Sequence, residues 1–79
     1  MTVCQLSYLP LFTGAVFEQV DEVIDMIQKY DVQYEVHDLS TTVKGDKKEI
    51  FHLIEDIYNT MDGQGNQFRL HLELLSPQK

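Results

Sequence analysis

The chain has 79 residues, enough for one domain but too few for a large core, since a domain of this size hides only about 60–65% of its unfolded surface. Thirteen acidic against six basic residues give a formal charge of -7, which argues against nucleic acid and anionic membranes as partners, because both call for a surplus of Lys and Arg. A single cysteine, Cys4, forms no internal disulfide, and no Cys/His cluster has the spacing of a structural zinc site, so self-association is the expected support for so small a fold.

Residues 3–9 are rich in β-formers and run without a breaker until Pro10, which predicts a first strand ending there. A short loop follows, in which Thr13 is placed to cap a helix. From Ala15 to Tyr30 the apolar residues Val16, Val20, Val23, Ile24, Ile27 and Tyr30 recur at three and four, with acids on the other side and Lys29 in the last turn. Val32 to His37 alternates again as a second strand: Val32, Tyr34 and Val36 face one way, Gln33, Glu35 and His37 the other. After Asp38-Leu39-Ser40, residues Thr41 to Gly45 form a third strand in a hairpin with the second.

Asp46 and Glu49 make a variant capping box for a second helix, whose stripe is Ile50, Leu53, Ile54, Ile57, Tyr58 and Met61; Gly63 suits its left-handed C-cap. Residues 66–75 alternate strictly as a fourth strand, with Phe68, Leu70, Leu72 and Leu74 facing in and Arg69, His71 and Glu73 facing out; residues 76–79 read as a frayed tail. The order βαββαβ over residues 1–79 predicts a single α+β domain of ferredoxin-like type: a four-stranded antiparallel sheet, strands one and three central, two helices on one face.

The uncovered face then collects Gln5, Ser7, Glu35, His37, Thr42, Lys44, Arg69, His71 and Glu73. It reads either as a solvated surface or as a ligand or subunit surface with neutral hydrogen-bonding groups at its centre. Glu35 and His37 project side by side and have the chemistry of an acid/base pair, but no nucleophile motif or oxyanion nest accompanies them, so no catalytic residue is assigned. His37, His71 and a carboxylate fix no metal geometry, and Cys4 reads as packing. Lys44, Lys47 and Lys48 read as a solvated helix start opposed by Asp46 and Glu49. An RNA-recognition domain would need aromatics where Gln5, Ser7, Thr42 and Lys44 stand, and an acylphosphatase would need an Arg-bearing loop where residues 9–14 have none. No span approaches a membrane helix, and residues 1–5 have no basic or apolar leader character, so a cytoplasmic protein is expected.

The exit of the first strand, residues 7–14 (Ser-Tyr-Leu-Pro-Leu-Phe-Thr-Gly), and the hairpin of residues 34–46, with its Tyr-Glu, short turn, Thr, and Gly-Asp before the second helix, resemble the YkoF-like thiamine-binding family. The resemblance runs from the first strand to the fourth. It implies a ferredoxin-like fold, a non-catalytic role in binding thiamine or its hydroxymethylpyrimidine moiety, and pairing of domains as dimers or tetramers. Family members often have a glycine where Phe12 stands and an acid where Lys44 stands, and many are longer at the C-terminus. The polar face and this resemblance together give Ser7, Glu35, His37, Thr41 and Thr42 as the expected binding residues, with Phe12 as a stacking lid over the flat ring, no metal and no other cofactor. The alternative is a structural or regulatory oligomerisation module without a small ligand.

Overall fold

The computed structural model describes residues 1–77; the part of the expected tail at Gln78 and Lys79 lies outside the described residues. The elements are β1 (Thr2–Leu11), α1 (Val16–Gln28), β2 (Gln33–Val36), β3 (Thr41–Gly45), α2 (Lys47–Gly63) and β4 (Gln67–Leu75). They form one antiparallel sheet in the order β2-β3-β1-β4, with β1 and β3 in the centre as the ferredoxin-like arrangement requires.

The core lies between one sheet face and the two helices. Cys4, Leu6 and Tyr8 of β1 and Val43 of β3 meet Val23, Met26 and Ile27 of α1 and Ile50, Leu53, Ile57 and Met61 of α2. Each such side chain contributes about 1.5–3 kcal/mol by leaving water. One buried polar contact crosses this core: the Tyr8 hydroxyl donates to Gln19 Oε1 at 2.6 Å, and the Tyr8 ring stacks on Phe68 with centroids 5.0 Å apart. Burial, with Glu22 nearby, pushes the Tyr8 phenol up from its ordinary pKa, and burial does the same to the Cys4 thiol. The Cys4 side chain is 1% exposed, which agrees with its reading as packing.

The caps follow the sequence at α2 and depart from it at α1. Asp46 Oδ2 accepts the Lys48 backbone N–H at 3.2 Å, the N-cap expected of it. Thr13 does not cap α1: its Oγ1 accepts the Ala15 N–H at 3.0 Å, closing a local turn, and Ala15 is the N-cap residue without a side-chain bond. Lys29 falls just past the last turn of α1. The left-handed position after α2 is Gly65 (φ 80°), not Gly63. Gly65 N–H donates to the Asp62 carbonyl and Asn66 N–H to the Met61 carbonyl, the two bonds of a Schellman motif, so the helix ends two residues later than a left-handed Gly63 would have it.

Two further corrections concern the strands. Pro10 does not end β1; it lies opposite Phe68, in a stretch where β4 is the only neighbour because β3 pairs no further than Leu6. A proline on such a locally edge-like stretch forfeits no ladder bond on its open side. Leu72 and Leu74 do sit on the helix-facing side, opposite Leu6 and Cys4, but they are 41% and 44% exposed, because the helices cover β1 and β3 better than the β4 edge. Tyr34 and Val36 on β2 are exposed for the same reason at the other edge. Gly45, the glycine of the hairpin pattern, ends β3 where a Cβ would meet Val32 Cγ1 at 2.9 Å, so it permits the chain entering β2 to pass close by.

Candidate functional site

The strand register turns the expected open face into rows. Glu35, Thr42, Gln5 and Glu73 form one row across all four strands, and Gln33, Lys44, Val3 and Leu75 form the next. Ser7 lies opposite His71, and Leu9 opposite Arg69. At about 4.8 Å per strand, the two carboxylates of the first row stand about 14 Å apart, with an amide and a hydroxyl between them. They flank a polar strip and do not converge on one atom.

The loop of residues 37–40 between β2 and β3 does not stand clear of the sheet. His37 N–H donates to the Ser40 carbonyl at 2.8 Å, which closes the loop on itself. Ser7 Oγ then donates to the Leu39 carbonyl at 2.9 Å, and Gln5 Nε2 donates to Ser40 Oγ at 2.8 Å. Two side chains of β1 therefore hold the loop down on the open face. Each such bond contributes about 0.5–1.5 kcal/mol net, enough to order a short loop at this position.

This clamp makes a cleft. Beyond Leu6, β1 has no β3 beside it, and the space is bounded by residues 6–9 of β1, by α1 through Val20, Val23 and Ile24, and by residues 36–41. Its volume is about 240 Å³. Three of the expected site residues line it: Ser7, His37 and Thr41, together with Asp38. Thr41 is buried and lies on the helix side of β3, opposite Leu6, whereas its neighbour Thr42 is on the open face. Glu35 and Thr42 line a separate hollow of about 140 Å³ with Gln33, Tyr34 and Lys44. His37 and Thr42 also share a shallow depression with Gln5 and Ser40 on the open side of the loop, so His37 borders both sides of the clamp.

Phe12 is the residue the structure leaves apart. It is 89% exposed, follows the end of β1, and lines neither the cleft nor the hollow around Glu35. Its φ of 53° is left-handed, a conformation ordinarily taken by glycine. Sequence reasoning did not foresee the parts of the site supplied by Leu39, Ser40, Val20 and Ile24. The bonds from Gln5 and Ser7 to the loop span 35 and 32 residues, and no local periodicity signals them.

The cleft has an apolar floor with imidazole, hydroxyl and carboxylate groups on its loop side, the composition of a small-molecule site. The Ser7 hydroxyl proton is given to Leu39, which leaves its oxygen as an acceptor, and His37 offers ring nitrogens of either polarity. Among the described residues, no group of three or more His, Cys, Asp and Glu is arranged to hold a metal ion.

A family model described as thiamine-binding protein matches residues 4–72. The UPF0045 protein MJ1052 of Methanocaldococcus jannaschii is 32% identical over 60 residues, which are 75% of this chain and 60% of that protein, so the chain spans about three fifths of this curated relative. The crystal structure of the same archaeal protein superposes with a TM-score of 0.86 at 26% identity, covering 98% of this chain and 80% of that one. A candidate thiamine biosynthesis/salvage protein of Thermotoga maritima gives a TM-score of 0.85 at 24% identity over 96% of this chain and 83% of that one. A Streptococcus pneumoniae protein gives 0.86 at 20% identity over 98% and 87%. The last two likenesses establish the fold.

Proposed function

The chain belongs to the thiamine-binding protein family, and from that premise we propose that it is a non-catalytic binding protein for thiamine or its hydroxymethylpyrimidine moiety, held in the cleft under the loop of residues 37–40. The observation that carries the reading is the clamp of Gln5 and Ser7 on that loop, which holds the segment bearing His37 and Asp38 beside an apolar cleft. A site organised in advance loses less entropy on binding.

The volume of about 240 Å³ lies below the roughly 300–1,000 Å³ of sites that enclose drug-sized molecules. It suits one heterocycle. An aminopyrimidine would enter ring first, with His37, the Ser7 oxygen and Thr41 meeting its ring nitrogens and amino group. The second ring of thiamine is a cationic thiazolium, and it would lie outside the cleft along the open face, where Asp38, Glu35 and the chain's net charge of -7 attract it. Thr42 and Glu35 thus belong to the outer part of the site. The buried, unpaired Cys4 suits a reducing compartment, so the reading places the protein in the cytoplasm, and its assembly is taken to be a homo-oligomer. Among the described residues, no helix is long and apolar enough to cross a membrane.

Titration calorimetry with thiamine and with hydroxymethylpyrimidine tests the proposal. Saturable heat with both, and weakening by about tenfold in His37→Ala with the fold retained, is the expected result, corresponding to the loss of about one hydrogen bond. Absence of heat and of thermal stabilisation at millimolar concentrations of both ligands sinks it. The exposed leucines along β4 favour a second reading, an assembly module without a ligand. Glu35→Ala and Leu74→Glu separate the two: under the first reading Glu35→Ala lowers thiamine affinity without changing assembly, and under the second thiamine gives no heat while Leu74→Glu disrupts assembly.

A further inference from the structure

β2 (Gln33–Val36) is an edge strand: β3 lies on one side of it and no strand on the other. We propose that this edge, with α1 above it, docks an extended segment of a partner protein, added antiparallel as a further strand, in which apolar residues alternate with Lys or Arg. The inference is separate from the ligand reading and stands whether or not thiamine binds.

The backbone specifies a strand as the occupant. His37 N–H donates to the Ser40 carbonyl, and that pair continues the register of β2 on β3, where Val36 stands opposite Thr41, Glu35 opposite Thr42 and Tyr34 opposite Val43. Hydrogen-bonded and non-hydrogen-bonded pairs alternate along an antiparallel ladder. Glu35 and Gln33 therefore bond inward to β3, and the N–H and C=O groups of Tyr34 and Val36 turn to the free edge. An extended chain meets all four of these groups at once.

The side chains specify its sequence. Tyr34 and Val36 are 40% and 52% exposed on the helix side. Phe17, Asp21, Ile24 and Gln28 follow one another along a single stripe of α1. Gln28 Nε2 donates to the Tyr34 hydroxyl at 2.9 Å, and Ile24 borders the same cleft as Val36, which sets that stripe beside β2. Phe17, at the start of the stripe, is 82% exposed. Partner residues opposite Tyr34 and Val36 point to the helix side, as those two do, so apolar side chains there cover this surface. The partner residue between them faces the open side beside Glu35, where a Lys or Arg forms a cross-strand ion pair. Asp21, Asp31 and Asp38 lie around the same edge and, with Glu35, outnumber Lys29 and Lys44, so the local field also favours a basic segment.

A second copy of the chain fits this edge poorly. Matching the outward groups of Tyr34 to those of Val36 about a two-fold axis sets Glu35 against Glu35. Residues 68–70 (Phe-Arg-Leu) have the right alternation, but β4 of one copy on β2 of the next is a heterologous contact that repeats without closing.

The test uses the whole chain and a fluorescein-tagged, end-blocked nonapeptide of alternating valine and lysine, read by fluorescence anisotropy. Saturable binding with a Kd below about 1 mM is expected, and a peptide of the same composition with its valines and lysines in two blocks binds about tenfold or more weakly. N-methylation of the valine nitrogens, which face β2, weakens binding by about tenfold or more; N-methylation of the lysine nitrogens, which face away, does not. Bound peptide slows amide exchange at Tyr34 and Val36. Glu35→Lys weakens the valine/lysine peptide by about tenfold or more, with unchanged circular dichroism, and takes up a valine/glutamate peptide in its place. No saturable binding, equal binding of the alternating and block peptides, equal effects of the two methylation patterns, unchanged exchange at Tyr34 and Val36, or a Glu35→Lys variant with the wild-type preference each overturns the proposal. So does open-ended association of the protein alone, which would put β4 of another copy on this edge.

Discussion

Replacing Phe12 by glycine is predicted to stabilise the protein. At φ 53° a side chain with a Cβ carries about 1–2 kcal/mol of steric cost, which glycine relieves. Against this, glycine loses about 0.5–1 kcal/mol more backbone entropy on folding. The ring contributes little to offset the strain: it is 89% exposed, so the tenth or so that is covered is worth about 0.2–0.3 kcal/mol. The balance is a gain of about 0.5 kcal/mol, or about 2–4 °C in Tm for a chain of this size. Urea and thermal denaturation of Phe12→Gly and Phe12→Ala measure it. Alanine removes the ring but keeps the left-handed strain, so it should show no gain. Equal stabilisation by both variants refutes the backbone account, and destabilisation by glycine shows that the ring has a partner. Thiamine affinity of Phe12→Gly should match wild type, since Phe12 borders neither hollow; a loss would return it to the role of a lid over the ring.

Three further outcomes follow from the packing. Gly45→Ala drives a Cβ to within 2.9 Å of a β-branched side chain with little freedom to move, and should cost about 1–3 kcal/mol in urea denaturation. Ser7→Ala removes the bond to Leu39 and should cost about 0.5–1 kcal/mol while speeding amide exchange at residues 37–40 and weakening thiamine binding. The Tyr30 phenol is pushed up by burial first and then by its 3.1 Å hydrogen bond to Asp56, and Tyr8 is shifted the same way. The folded chain thus holds these protons to higher pH than the unfolded chain. Stability from them is complete below the ordinary tyrosine pKa of about 10 and falls as pH rises through the folded values, so Tyr30→Phe should flatten the alkaline limb of a stability–pH curve.

The order of elements and the central placing of β1 and β3 were legible because alternation and helical period are local properties of the chain. The same alternation sorted Gln5, Ser7, Glu35 and Thr42 onto one face correctly. It said nothing of what bends over that face. The clamp on Leu39 and Ser40 is a tertiary contact, and it moves Ser7 and His37 to the rim of a cleft that Glu35 does not reach. Pro10 and Thr13 misled for a related reason: each has a strong local preference, and the missing β3 neighbour in one case and a competing turn in the other decided the outcome. Leu72 and Leu74 followed the pattern of buried residues and are not buried, because a pattern fixes a face and not what covers it.

The unequal lengths of β1 and β3 have a consequence for how such a site changes over time. The cleft exists because ten residues of β1 run beside five of β3, and the hairpin turns back before the longer strand is used up. Its size is therefore set by the count of residues in the hairpin, while its selectivity is set by the few side chains at the rim. Lengthening β2 and β3 by a few residues each would carry ladder bonds along residues 7–9 of β1 and close the opening. Substitution can retune what enters, but insertion or deletion decides whether there is a door at all.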